Sequence, residues 1–186
     1  MRYAVVDLET TGSKAHLNRI IEIGIVIIEN GKILQKFESL VDGKQEIPIF
    51  IQNLTGISPG MLIEAPTFDK IAQKVHSLLK DCIFVAHNAS FDYVFLKAEF
   101  KRAGIEWSSD RLCTLKVSRK AFPDLASYSL KQLVKSLNCS DFRHHRALGD
   151  AIAASEVLLL ILEKWGEPQT LKHLNRVRLS KLPVYT

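Results

Sequence analysis

Tyr3-Ala4-Val5-Val6-Asp7-Leu8-Glu9-Thr10-Thr11-Gly12 is the stretch from which the rest of the chain is read. Residues 3–8 form an apolar run of strand length interrupted by one carboxylate, which reads as a buried strand. Strand residues two apart point to the same face, so Asp7 and Glu9 project together from its end. Asp7 lies between Val6 and Leu8, and an unpaired carboxylate buried there is costly. A divalent cation would relieve that cost and engage both groups. A strand that simply ends at Asp7, with both carboxylates solvated, fits the same three residues.

Residues 19–28 (RIIEIGIVII) read as a second strand and residues 32–41 as a third, joined through Glu29-Asn30-Gly31, a hairpin signal. Residues 48–66 read as loop with a short helical piece around 50–54. Thr67 is placed to cap a helix bearing Ile71, Val75, Leu78 and Leu79 on one face. A short apolar strand at 82–86 leads into a helix carrying Phe91, Phe95, Ala98 and Arg102, which Gly104 ends. A weaker element starts near Leu112, a helix covers 129–137, and a long helix covers about 146–165 with Ala147, Ala151, Ala154, Leu158 and Ile161 as its buried stripe. Strands with a hairpin, then helix–strand–helix units, predict an α/β fold with a mixed sheet covered by helices.

Two further segments carry chemistry. His87-Asn88-Ala89-Ser90-Phe91-Asp92 opens a helix after an apolar strand, at the sheet edge where open α/β folds place their ligands. Asp92 also suits a plain helix-dipole role in that first turn. His145-Arg146-Ala147-Leu148-Gly149-Asp150 opens the long helix, with Asp150 beside the buried stripe and small alanines leaving room around it. His144 is adjacent to His145 and offers the same imidazole.

In order and spacing these segments resemble the three motifs of the DEDD exonuclease superfamily, in the branch whose third motif contains a histidine. The similarity runs from about residue 3 to 165 through DLETTG at 7–12, IIEIG at 20–24, LTGI at 54–57, AHNASFD at 86–92 and HHRALGD at 144–150, and is strongest to the proofreading exonucleases of bacterial replicative polymerases. The resemblance implies a ribonuclease H-like fold with a five-stranded mixed sheet, order 3-2-1-4-5, strand 2 antiparallel. It implies two divalent metal ions, Mg2+ or Mn2+, held by Asp7, Glu9, Asp92 and Asp150, and a general base at His145, the histidine in register with Ala147 and Asp150. An unperturbed imidazole titrates near ~6.5, where a base works well at neutral pH. Thr10, Thr11 and Gly12 would touch the terminal nucleotide, with His87 and Asn88 positioning the second motif and the substrate strand. Phe91 and Phe95, four apart, read as core.

The activity implied is release of nucleotides from a single-stranded DNA 3′ end, with RNA trimming and a catalytically silent nucleic-acid-binding module as alternatives. The chain has 186 residues, 47% hydrophobic and 24% charged, ordinary for one globular domain. Its three cysteines, Cys82, Cys113 and Cys139, are odd in number and far apart, which excludes a disulfide framework. No run approaches the ~18 apolar residues of a membrane helix, and no charged-then-apolar leader opens the chain, so cytoplasmic residence is expected. Four of the five net positive charges fall at Lys172, Arg176, Arg178 and Lys181, in a stretch without Asp or Glu. Residues 1–166 are therefore read as the exonuclease domain and 167–186 as a basic tail or linker, reaching a DNA polymerase subunit or a fused downstream domain. Leu171, Leu174, Arg178 and Leu182 fit a basic amphipathic helix within it.

Overall fold

A computed structural model describes residues 1–140 and 145–176. The expectations placed on His144, Arg178, Lys181 and Leu182 lie outside these residues. Strands β1 (Arg2–Thr10), β2 (Ile20–Glu29), β3 (Lys32–Leu40), β4 (Ile83–Ala86) and β5 (Arg111–Cys113) form one sheet in the order β3-β2-β1-β4-β5. β2 runs antiparallel to β1 and β3, whereas β1, β4 and β5 are parallel. This is the expected mixed sheet. At the β2–β3 turn Asn30 (φ 50°) and Gly31 (φ 72°) are both left-handed, as a type I′ hairpin requires.

Helices cover both faces because β1 and β2 are apolar on both. Ala4, Val6 and Leu8 pack with Ile23, Ile25 and Ile27 under α3 (Phe68–Leu79) and α4 (Ala89–Arg102). Tyr3 and Val5 pack with Val26 and Ile28 under α5 (Thr114–Ala121), α6 (Leu130–Ser136) and α7 (Ala147–Leu171). Asp7 and Glu9 continue the odd-numbered set of β1, so alternation turns both toward the α7 face.

Several details differ from the sequence expectation. β1 reaches Thr10, because Glu9 and Thr10 still pair with Glu22 and Ile20. Residues 48–66 form two short helices, α1 (Ile49–Thr55) and α2 (Pro59–Leu62), over a small cluster of Ile21, Ile47, Ile51, Ile57 and Leu62. Thr67 occupies the N-cap of α3 without a capping bond, its hydroxyl engaging Asp69 instead. The weak element at Leu112 is the three-residue β5, which runs directly into α5. The last helix breaks at Gly166 (φ 74°, ψ 162°), two residues before Pro168, and resumes to Leu171. No amphipathic helix continues beyond it among the described residues; Asn175 instead pairs antiparallel with Arg111. All three cysteines are free. Among the described residues no helix is long and apolar enough to cross a membrane.

Candidate active site

β1 outruns β4. Their parallel register ends at Val5 and Val85, so Asp7 and Glu9 extend past the last paired residues, toward the turn that His87 and Asn88 make into α4. That turn places Asp92 in the first turn of α4, only 4% exposed, where its carboxylate accepts the backbone N–H of Leu8, the residue between Asp7 and Glu9. Asn88 enters α4 with φ 74°, a conformation that asparagine tolerates better than most residues.

The third element is seated by β2. Asp7 pairs with Gly24 and Glu9 with Glu22. A Cβ built on Gly24 would lie 2.3 Å from the carbonyl carbon of Ala147 and 2.4 Å from the nitrogen of Leu148, so the start of α7 rests directly on bare strand backbone. Beside it, Glu22 is 3% exposed and accepts from Arg146 Nη2 (2.6 Å), Arg146 Nε (2.9 Å) and the Ala147 N–H (2.8 Å). The glutamate thus pairs the guanidinium and satisfies an otherwise orphan amide at the helix N-terminus. Asp150 folds back to accept the Arg146 N–H at 3.2 Å.

The outcome is one cleft of about 250 Å³ lined by Asp7, Glu9, Asp92, Asp150, His87, Asn88 and His145, together with Leu8, Phe91 and Leu130. Carboxylate oxygens of Asp7, Glu9 and Asp150 lie within 4.8 Å of one another. Asp92 lines the same cleft outside that tight trio. Burial, then the charges of Asp92, Asp150, Glu9 and Glu22, hold the Asp7 carboxyl well above the usual carboxylate range. Burial and the Asp150 and Glu22 charges push Glu9 up to about 7, with Arg146 pulling the other way. Burial raises Asp92 to about 8 against the two backbone N–H groups that favour its anion. Four carboxyls sharing a pocket too crowded for their charges form a hard-oxygen donor set that fits divalent cations.

His145 is exposed at this cleft with φ 59°, immediately before the N-cap of α7. His87 lines the same cleft but has both ring nitrogens engaged inside the protein, Nδ1 with Thr114 Oγ1 and Nε2 with the Tyr128 carbonyl, each at 3.0 Å. Burial lowers its pKa. Thr10 and Thr11 are buried in the turn rather than presented to the cleft. The Thr10 hydroxyl donates to the Gly12 carbonyl (2.7 Å), and Thr11 Oγ1 donates to Gln45 (2.6 Å) and accepts the Arg19 N–H (3.0 Å). The hydroxyls of Thr10 and Thr11 and both ring nitrogens of His87 therefore have partners within the protein.

Sequence reasoning left Glu22, Gly24 and Arg146 without a role and gave Phe91 only to the core. A glutamate in the interior of the apolar run of β2, Glu22, was the available signal, since a charge there needs a buried partner. Phe91 does stack on Phe95 (centroids 4.8 Å apart), yet it also lines the cleft.

A family model described as Exonuclease, of the RNase T type, matches residues 4–158. The chain is 41% identical over 164 residues to the 3′-5′ exonuclease DinG of Staphylococcus aureus (strain USA300), covering 88% of this chain. It spans only 18% of that relative's length. Among solved structures, Exonuclease X in complex with 5′ overhanging duplex DNA superposes with a TM-score of 0.76 at 26% identity, over 91% of this chain and 98% of that one. E. coli Exonuclease I in complex with a dT13 oligonucleotide gives a TM-score of 0.80 at 18% identity, over 92% of this chain and 42% of that one, a likeness of fold.

Proposed function

The chain belongs to the exonuclease family, and from that premise we propose that it removes nucleoside monophosphates from the 3′ end of single-stranded DNA in a metal-dependent hydrolysis. The observation that carries this reading is the convergence of Asp7, Glu9, Asp92 and Asp150 beside the exposed imidazole of His145 in one cleft. In this reading the four carboxylates hold two divalent cations, Mg2+ or Mn2+. When bound, such a pair supplies the charge that stabilises attacking and leaving oxygens in an in-line displacement.

The chain's own groups then have distinct tasks. His145 takes the proton of the attacking water as the new P–O bond forms. The bond from phosphorus to the 3′ oxygen breaks, that oxygen gains a proton, and a nucleoside 5′-monophosphate leaves. The latch of Glu22 on Arg146 and Ala147 keeps His145 and Asp150 at a fixed distance from β1. Phe91 and Leu130 give the cleft apolar surface against which a terminal base can rest. Residues 1–166 form the catalytic unit in this proposal, acting in proofreading or repair within the cytoplasm, alone or as part of a larger polymerase assembly.

The test is a gel of 3′- and 5′-labelled single strands with Mg2+ or Mn2+, with and without chelator. Stepwise shortening of the 5′-labelled strand, early release of the 3′ label and abolition by chelator are expected. Shortening from the 5′ end, or cleavage that survives chelation, overturns the reading. Matched RNA oligomers are the second arm: RNA cut about tenfold faster would move the substrate to RNA with the chemistry unchanged.

A further inference from the structure

The family match ends at residue 158, but the chain beyond it returns to the sheet. Asn175 donates its N–H to the Arg111 carbonyl (2.8 Å) and accepts the Arg111 N–H (3.1 Å), extending the sheet at its β5 edge. His173, Leu174 and Asn175 thereby close one side of a cavity of about 560 Å³, larger than the carboxylate cleft. Its charged lining is Arg111, Lys116, Arg119 and Lys120, with His173 beside them and no Asp or Glu among the described residues.

The lining is organised rather than incidental. Lys116, Arg119 and Lys120 are exposed at spacings of three and four on α5, while Val117, Ser118 and Ala121 are buried, so one helix side presents three cations. The Arg111 guanidinium carbon sits over the Tyr93 ring, 4.2 Å from its centroid, and Arg111 Nε is buried without a hydrogen-bond partner among the described residues. Lys120 Nζ sits 3.5 Å from His173 Nδ1. Ala89 and Ser90, at the positive end of the 14-residue α4, complete the wall. Like charges gathered around a concave surface repel one another, and a phosphate removes that repulsion.

The cavity neighbours the cleft along the start of α4. Asn88 lines the cleft and the next two residues line the cavity. The His87–Thr114 hydrogen bond ties the cleft wall to the first residue of α5, which carries the cations. We propose that this cavity is a phosphodiester site for the substrate strand upstream of its terminal nucleotide, and that residues 173–175 are a wall of the substrate track. The proposal rests on the exonuclease reading and extends it: the strand leaves the carboxylates past α4's first turn and is gripped between α5 and the returning chain.

The experiment compares the full chain with the double variant Lys116→Ala/Lys120→Ala on three probes: the p-nitrophenyl ester of thymidine 5′-monophosphate, a DNA dinucleotide and a DNA octanucleotide. The ester reports on the cleft without an upstream phosphate, and it also reports that the variant is folded. The ratio of kcat/KM on octanucleotide to that on ester should fall about tenfold, through KM. The salt dependence of octanucleotide binding should become shallower by about 0.7 for each phosphate that the variant no longer neutralises. Lys116→Arg/Lys120→Arg should restore both.

An unchanged ratio and slope, with ester hydrolysis intact, overturns the cavity's role and leaves the exonuclease reading standing. Loss of inhibition by free thymidine monophosphate with no change in the length dependence makes the cavity a mononucleotide site, which also overturns it. A wild-type chain inert on ester and oligonucleotides alike sinks both.

Discussion

His87 and His145 each stand just before a helix that delivers a carboxylate to the cleft, and each helix is entered through a left-handed residue, Asn88 (φ 74°) ahead of α4 and His145 itself (φ 59°) ahead of α7. The backbone device is shared, but the side chains are used in opposite ways. His87 is half-buried with both nitrogens bonded to Thr114 and Tyr128, and burial disfavours its cation. His145 is exposed at the cleft, and its helix is held by a different group, Glu22 on β2. One histidine is a strut; the other is left accessible because something else carries the structural load.

The largest expected effect tests that division directly. His145→Ala should lower kcat by about 10² to 10⁴, the usual weight of a general base, while the urea midpoint moves by less than about 1 kcal/mol equivalent. Single-turnover cleavage of a labelled strand and a denaturation curve measure the two quantities. A large stability loss with modest kinetic change would make His145 a strut as well.

The seat of α7 comes next. Gly24→Ala puts a methyl group into the backbone of Ala147, and Glu22→Ala leaves Arg146 and an amide without their acceptor. Each should cost about 3 kcal/mol of stability, read from urea unfolding. Each should also reduce cleavage, because Asp150 shifts away from Asp7 and Glu9. Glu22→Gln, which keeps the shape and part of the hydrogen bonding, should recover more than half of the stability loss. If Glu22→Ala unfolds as the wild type does, the latch is not what holds α7.

His87→Ala should be milder in kinetics than in stability: about 1 to 3 kcal/mol lost with its two part-buried hydrogen bonds, and less than about tenfold in kcat. A kinetic effect rivalling His145→Ala would break the contrast between the two residues.

The same contrast marks what was legible in the sequence. β2 announced itself by its apolar run and its Asn-Gly turn, and the four acidic residues by fixed spacing within local motifs. Asp7 and Glu9 share a face because strand alternation is a local rule. The Glu22–Arg146 latch joins residues 124 apart, and nothing local assigns that partner. The bare backbone of Gly24 under α7 is likewise a tertiary contact, invisible until the helix is placed. The partners of Thr11 are also non-local: Gln45 and the Arg19 backbone reach its hydroxyl from elsewhere in the chain. The backbone pairing of Asn175 with Arg111, inside the stretch expected to be a basic tail or linker, has no sequence signature.

The smallest effect is the most diagnostic of what the cleft is for. Glu9 at about 7 and Asp92 at about 8 are both raised above the ordinary carboxylate range, so in the metal-free fold they hold protons that the unfolded chain has already released. Stability of the metal-free protein should therefore rise as pH falls from about 8 toward the ordinary carboxylate range, and be lost again as pH climbs through those two values. A cation bound by the same oxygens competes with the protons, which cancels the dependence. The increase in unfolding free energy on adding Mg2+ should grow between about pH 6 and 8, by up to ~1.4 kcal/mol per pH unit for each proton displaced. Thermal unfolding at several pH values, with and without Mg2+, reads this without any substrate. A metal-induced shift that is flat with pH would mean that the cation binds away from Glu9 and Asp92. Loss of the pH dependence in Glu9→Gln would fix it to this cleft.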